Sequence, residues 1–336
     1  MSMRAVSLQH PGHAEVVDLR EPVRRTGELL LRVEMVGLCG TDLNSFRGRN
    51  PLVTYPRVIG HEIAATVVEG SRKVPAGTHV TVSPYTSCGA CASCLSGRFN
   101  ACKDNQTFGV QRDGAMTELI SVPEEKVYAS PLSLKQLCIV EPLTVGVHAV
   151  SRGRVTSGDT VAVFGCGGVG LGAIAGAAFR GARTIAIDVD DAKLNTARAA
   201  GATDLIHSVD EDVHARLQEI TEGHGPSVVI EAIGLPETFV GAVEDVAFAG
   251  RVVYIGYAKQ PVAYDTKLFV QKELDIMGSR NALPEDFREV IAMLEAGRFP
   301  VDDAVSTLIG MDEVPSILER WSESPATFRK IMVRVR

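Results

Sequence analysis

Long runs of bulky apolar residues are lacking: the uncharged stretch 161–179 holds six glycines and reads as strand, turn and helix, which argues against a helix spanning a bilayer, and the opening MSMRAVSLQH has no apolar stretch of the kind a secretory leader needs. A basic excess is missing too. The 34 Lys and Arg are outnumbered by 41 Asp and Glu, and the net charge of −7 carries no basic stripe, which argues against nucleic acid or an anionic membrane as partner. Internal repeats and low-complexity linkers are absent. The seven cysteines are an odd number without a leader, so they read as reduced thiols in a cytoplasmic protein. What is present is 336 residues with 45% hydrophobic content, enough for two cores, and length alone suggests about two domains. The single tryptophan, Trp321, together with Cys138 and His148, sits in apolar or amphipathic surroundings and reads as packing.

Four of the cysteines stand close together. Cys88, Cys91, Cys94 and Cys102 follow C-x2-C-x2-C-x7-C, a spacing that lets one short loop wrap a single tetrahedral ion. Thiolate sulfurs must come within about 2.3 Å of a structural zinc, and Gly89 and Gly97 permit the tight turns this requires. Disulfides, separate buried thiols and an iron–sulfur cluster are the other uses of such a set.

Residues 1–140 alternate short β-rich runs with turn signals, as in 28–36, 62–68 and 78–83, the pattern of a small barrel or sandwich. From about Val161 the texture becomes apolar strands alternating with helix-length segments, which predicts a parallel sheet covered on both faces. Strands are expected at 161–164, 184–188, 204–207, 227–231, 251–255 and 274–278. Six of them suit a doubly wound domain. The segment Asp190–Gly201 has acids at its start and glycine past its end, as a helix dipole and C-cap prefer. Helices at 284–297 and 312–322 and a strand at 328–335 follow.

The first of these strands runs into Gly165-Cys-Gly167-Gly168-Val169-Gly170, a G-x-G-x-x-G that leaves a strand and opens a small-residue helix. The first glycine makes the turn, the second lets the backbone approach a pyrophosphate, and the third lets helix pack on strand. Asp188 ends the next strand, 23 residues after Gly165, where a carboxylate can accept hydrogen bonds from an adenosine ribose. A 2′-phosphate there would meet Asp188 with Asp190 and Asp191 close behind, so charge favours NAD over NADP.

A third set lies in the first domain: Cys39-Gly-Thr41-Asp42, Gly60-His61-Glu62 and Glu141-Pro142-Leu143. A catalytic zinc takes three protein ligands and leaves a position open, and Cys, His and carboxylate all serve. Spacing alone does not assemble residues so far apart.

These three groups, in this order and with the four-cysteine loop between the second and third, resemble the zinc-dependent medium-chain alcohol dehydrogenase family over essentially the whole chain. Within it they are most similar to the branch of sorbitol, L-threonine, galactitol-phosphate and sugar-acid dehydrogenases, which has glutamate in the segment corresponding to Glu141-Pro142-Leu143. The resemblance implies an α/β fold with an all-β partner: a GroES-like β-barrel catalytic domain over 1–142 and 281–336, and a Rossmann doubly wound parallel-sheet NAD-binding domain over 143–280. It implies Cys39 and His61 as catalytic zinc ligands, Glu62 and Glu141 as exchangeable third and fourth ligands, and Cys88, Cys91, Cys94 and Cys102 as ligands of a structural zinc. Gly165, Gly167, Gly168, Val169 and Gly170 would meet the pyrophosphate, and Asp188 and Lys193 would flank the ribose. Ala232, Gly234, Ile255 and Gly256 would lie beside the nicotinamide, with the backbone near Ser279 and Arg280 on its carboxamide.

The reaction so implied is hydride transfer from a secondary alcohol to NAD. By analogy with zinc-bound water, whose pKa falls from 15.7 to about 7, the metal would make the alkoxide accessible by roughly 12 kcal/mol, far more than a proton relay supplies. Thr41 is placed to take the alcohol proton. Many relatives have a histidine five residues after the zinc cysteine, where this chain has Asn44, which does not titrate near neutrality. The proton is therefore expected to leave through ribose and water.

Arg112, before an Asp113-Gly114 turn, could face a substrate carboxylate, and related sugar-acid dehydrogenases have a similar arginine-containing turn after the zinc loop, which favours a polyol or aldonate. A solvent-facing turn arginine is the alternative, and Arg47, Arg49 and Arg57 add positive charge near the expected cleft. Oxidation of an amino alcohol such as L-threonine, a non-catalytic zinc protein on the same fold, and a zinc-free NADPH-dependent quinone or enone reductase are the other readings. Relatives are homodimers or homotetramers, often through Rossmann edge strands, for which Arg251–Tyr257 or Leu274–Gly278 could serve.

Overall fold

The computed structural model describes residues Met1–Arg336, the side chain of Ala326 excepted. Its contacts divide the chain into one unit of Met1–Glu141 with Val301–Arg336 and a second of Pro142–Pro300.

In the first unit, strand Glu28–Leu38 buries Leu29, Leu31, Val33 and Met35 and leaves the intervening residues partly open, the period-two signature of a sheet with one covered face. It is central to a mixed sheet. Glu62–Glu69 and Ile331–Arg334 flank it antiparallel, Leu119–Pro123 pairs with its first half, and His79–Val82, Val127–Ala129 and Thr307–Gly310 continue outward. A smaller sheet of His13–Arg20, Ser2–His10 and Arg57–Val58 contributes Ala5, Val6 and Leu8 to the same core. Trp321, on helix Val314–Glu323, packs into that core. This is the expected GroES-like barrel.

The second unit holds six strands, all pairs parallel, in the order Asp204–His207, Arg183–Asp188, Thr160–Phe164, Val228–Glu231, Arg251–Tyr254, Asp275–Gly278. Read by position in the chain, this is the 3-2-1-4-5-6 arrangement of the Rossmann fold. The order reverses at Thr160–Phe164, so the glycine loop leaves at the switch point, where such sheets bind ligands. Fully buried Val and Ile residues make the four inner strands legible in sequence, and each of the six lies within one residue of its expected bounds. Asp190 caps helix Asp191–Ala199 by accepting from Ala192 N and Lys193 N, and Gly201 beyond it has φ +110°.

Three expectations need correcting. The contact boundary at 300 lies beyond 281, because helix Pro284–Glu295 packs on Gly168–Phe179 and its Asp286 meets His148 Nδ1 at 2.8 Å. The turn before Arg112 is made at Gly109 (φ +73°), whose N–H donates to the Arg112 carbonyl, while Asp113 accepts from Arg57 Nη1 and Val58 N. Arg251–Tyr254 is an interior strand, so only Asp275–Gly278 and Asp204–His207 are edges.

Candidate active site

Strand Glu28–Leu38 ends where Cys39 begins helix Gly40–Phe46 as its N-cap. Asp42 in the first turn reaches back: Oδ2 accepts from Cys39 N at 2.9 Å and Oδ1 from Gly60 N at 3.2 Å. One buried carboxylate thus joins the segment delivering Cys39 to the one delivering His61. The His61 ring is 5% exposed, with Nδ1 buried, 3.8 Å from Asp42 Oδ1 and without a hydrogen-bond partner. Cys39, His61 and Glu62 each bring a ligand atom within 4.8 Å of the others.

Glu62 is fully buried, and both its oxygens accept from Lys330 Nζ, at 2.6 and 2.7 Å. Lys330 also donates to the Leu38 carbonyl at 3.3 Å. Burial opposes its charge, but Glu62, Cys39 and Cys138 together raise its pKa. Glu141, in the first turn of helix Val140–Arg152, lies outside the 4.8 Å group and accepts a hydrogen bond from the Tyr85 hydroxyl. Burial pushes the Glu141 carboxyl up to about 7 against the pull of His61. Burial likewise disfavours the His61 imidazolium, yet Asp42, Cys39 and Glu141 together hold its pKa well above the ordinary value. The orphaned imidazole nitrogen, a nearby thiol and surrounding carboxylates fit a divalent cation with the borderline softness of zinc.

Thr41 Oγ1 lies 3.7 Å from Cys39 Sγ and is half-buried, whereas Asn44 is exposed. Sequence reasoning named Asp42 beside Cys39 and Thr41 without giving it a role, and it missed Tyr85 and Lys330. Only Asp42, three residues from Cys39, carried a local signal, the first-turn acid of a capping box.

In the four-cysteine loop, Cys91 Sγ is 3.5 Å from Cys94 Sγ and 3.8 Å from Cys102 Sγ, and all four sulfurs lie within 4.8 Å of one another. Metal–sulfur bonds of about 2.3 Å make a tetrahedron with edges of about 3.8 Å, so the sulfurs are already spaced for one ion and too far apart for disulfides. The backbone supports this arrangement. Cys91 N donates to Cys88 Sγ and Cys88 N to Cys102 Sγ, each at 3.3 Å, while Gly89 and Gly97 take φ values of +71° and +77°.

In the second unit, Gly165 turns with φ +96°, and a Cβ on Gly170 would run into the Gly165 carbonyl. Gly167, the N-cap of helix Gly168–Phe179, has nothing within 4 Å of a Cβ. Gly167 and Gly168 are exposed, and the first amides of this helix have no partner within it, an open cradle of donors for an anion. Asp188 is buried: Oδ2 accepts from Cys166 N at 2.7 Å, and Oδ1 from Val189 N at 2.8 Å and Lys193 Nζ at 3.5 Å. Ile255 N and Gly256 N donate to the Glu231 carbonyl, and Ser279 N to that of Tyr254. The loops after strands 1, 4, 5 and 6, with Ala232 and Gly234 among them, are thereby brought to one end of the sheet.

Residues 25–132 match the alcohol dehydrogenase GroES-like domain and residues 168–296 the zinc-binding dehydrogenase family. The chain is 35% identical to a zinc-type alcohol dehydrogenase-like protein of Haemophilus influenzae, with 98% of each chain covered. It is 32% identical to L-galactonate-5-dehydrogenase of Escherichia coli K12, with 90% of each covered. Among solved structures, an alcohol dehydrogenase of E. coli CFT073 complexed with NADH superposes with a TM-score of 0.91 at 26% identity, covering 99% of both chains. A zinc-binding dehydrogenase of Sinorhizobium meliloti 1021 bound to NADP gives 0.91 at 29%, covering 100% of both. With both domains matched and relatives 35% and 32% identical over 98% and 90% of the chain, the chain belongs to the zinc-dependent medium-chain alcohol dehydrogenase family.

Proposed function

We propose that this protein oxidises a secondary alcohol of a polyol or sugar acid with NAD. The observation that carries the reading is the Cys39–His61–Glu62 cluster, with its orphaned imidazole nitrogen, in a chain whose Asp188 closes the second strand beside the glycine loop. Cys39, His61 and Glu62 would hold a zinc, with Glu141 able to exchange in once released by Tyr85, and Cys88, Cys91, Cys94 and Cys102 would hold the structural ion. When bound, zinc supplies a Lewis acid that makes an alcohol acidic near neutrality, and the nicotinamide accepts hydride.

The protein's own groups do the rest. Asp42 fixes the spacing of Cys39 from His61. Lys330 balances the Glu62 charge, so that the buried cluster is not uniformly anionic. Thr41 holds the departing proton at its hydroxyl, and Asn44, turned to solvent, adds no titrating group to the exit path. The glycine loop from Gly165 through Gly167, Gly168 and Val169 to Gly170 seats the pyrophosphate, and Asp188 with Lys193 the ribose. Ala232, Gly234, Ile255 and Gly256 flank the nicotinamide. Three acids at Asp188, Asp190 and Asp191 favour NAD over its 2′-phosphorylated form.

The sugar-acid preference is supported by Arg112 and by the L-galactonate-5-dehydrogenase relative. The Arg112 guanidinium stacks 3.9 Å over the Phe108 ring and donates to the carbonyl of Pro84, next to Tyr85. The same hairpin packs on Ile59–Gly60, just before His61, with Gly114 N and Ala115 N donating to the Val58 and Gly60 carbonyls. A second copy of the chain is the proposed partner, joined along the edge strand Asp275–Gly278, where Ile276 is exposed.

Reduction of NAD and NADP by zinc-replete protein, assayed against polyols, aldonates, sugar phosphates and L-threonine, tests the reading. NAD reduction by a polyol or aldonate is expected. Activity confined to L-threonine, or to NADP, would overturn the substrate or cofactor assignment respectively.

A further inference from the structure

Glu231, the last residue of strand Val228–Glu231, is completely buried. Its Oε1 accepts three hydrogen bonds, from Ile233 N at 2.9 Å, Gly234 N at 2.7 Å and Thr238 Oγ1 at 2.7 Å. Oε2 is closed to solvent and has no hydrogen-bond partner. Burying a carboxylate with half of its acceptors unmet is unfavourable, and an apolar side chain would fill the same space without that penalty. The explanation lies in what the residue ties together.

The side chain grips the loop that follows the fourth strand and, through Thr238, the first turn of helix Pro236–Asp245. Its main-chain carbonyl takes Ile255 N at 2.9 Å and Gly256 N at 3.2 Å, which holds the loop after the fifth strand. The unpartnered Oε2 occupies the space that a Cβ on Gly256 would need, and that Cβ would also meet Gly234 N at 2.5 Å. Gly234 sits at φ +91°, with room for a Cβ denied by the Tyr257 carbonyl at 2.8 Å. On the other side, Ala232 N donates to the Phe164 carbonyl, and a Cβ on Gly165 would lie 2.7 Å from Ile233 Cγ1. Residues 232–234 are therefore wedged between the glycine loop and the Gly256 loop, with one carboxylate beneath them.

We infer that Glu231 is a positioning residue for the nicotinamide end of the cofactor, fixing the two loops that carry Ala232, Gly234, Ile255 and Gly256; the inference rests on the NAD reading above. Three donors converge on one oxygen, an arrangement that a full negative charge favours over a neutral acceptor. Glutamine can keep that acceptor and the side-chain length. Alanine removes all three bonds at once.

The test measures NADH affinity by fluorescence titration and steady-state kinetics on the zinc-loaded, full-length protein. The parent is titrated first, and failure to bind NADH would overturn the cofactor reading and this inference with it. Given binding, Glu231→Ala is expected to weaken NADH and raise the KM for NAD by about 10- to 100-fold, with the alcohol KM at saturating NAD and the zinc content unchanged. Glu231→Gln is expected to restore most of the affinity. Thr238→Val removes one of the three donors and should weaken NADH by about fivefold. Unchanged NADH affinity in Glu231→Ala would overturn the inference while leaving the cofactor reading intact. Should the alanine variant fail to fold, Thr238→Val decides, and parental affinity there would overturn it equally.

Discussion

Lys330 and Glu62 form a two-pronged ion pair almost closed to solvent, with Nζ at 2.6 and 2.7 Å from the two carboxylate oxygens. The partners are 268 residues apart in the chain and meet because Ile331 pairs with Leu38 while Glu62 pairs with Gly37. Lys330→Met should destabilise the protein by about 3–5 kcal/mol, since it strands a buried carboxylate. The double variant with Glu62→Gln should recover most of that loss. Denaturant unfolding of both variants checks this, and equal loss in single and double variants would refute it.

Asn44 stands exposed on helix Gly40–Phe46, five residues after Cys39. Asn44→His is expected to add one ionisation near pH 6–7 to the kcat profile. The neutral imidazole is the form that accepts a proton, so any gain in rate should appear above that pH and vanish below it. An unchanged profile would count against Thr41 as the proton's first stop.

Cys94 and Cys102 are buried in the sulfur tetrahedron. Cys102→Ser should reduce the zinc content from two ions to one and lower stability by on the order of 3 kcal/mol, because structural metal binding is folding energy. Cys39→Ser should also leave one ion, with unfolding little changed and activity lost. Metal analysis beside thermal unfolding separates the two sites.

The glycine loop offers a cleaner separation of packing from binding. Gly170→Ala would drive a Cβ into the Gly165 carbonyl, whereas at Gly167 a Cβ meets nothing within 4 Å. Gly170→Ala should therefore lose about 2 kcal/mol or more of stability, as overpacking does. Gly167→Ala should unfold like the parent but bind NADH at least about tenfold more weakly, because the added methyl stands where the backbone approaches the pyrophosphate. Similar stabilities in the two variants would remove this distinction.

The Rossmann half could be read from the chain because its four inner strands are built on buried Val, Ile and Ala with no competing period, and the half-open edge strand Asp204–His207 also falls on its expected bounds. The cysteine loop was legible because its ligands are close in sequence. The surroundings of Cys39 and His61 were not. Lys330 with Glu62, and Tyr85 with Glu141 56 residues away, are joined by sheet register and helix placement, for which no local residue pattern exists. The turn at Gly109 was missed because Asp113-Gly114 carries the stronger turn signal, but Asp113 uses its carboxylate on Arg57 and Val58 instead.

Asp188 does two jobs, and this constrains anyone wishing to redirect the cofactor preference. The carboxylate that would repel a 2′-phosphate is also the acceptor for the amide of Cys166 inside the glycine loop. Replacing it by a small neutral or basic residue to admit NADP would untie the loop that must hold the pyrophosphate of either nucleotide. A successful exchange would need to supply a new acceptor for that amide as well as a cation for the phosphate, so a single substitution at Asp188 should yield a poorer NAD enzyme before it yields an NADP one.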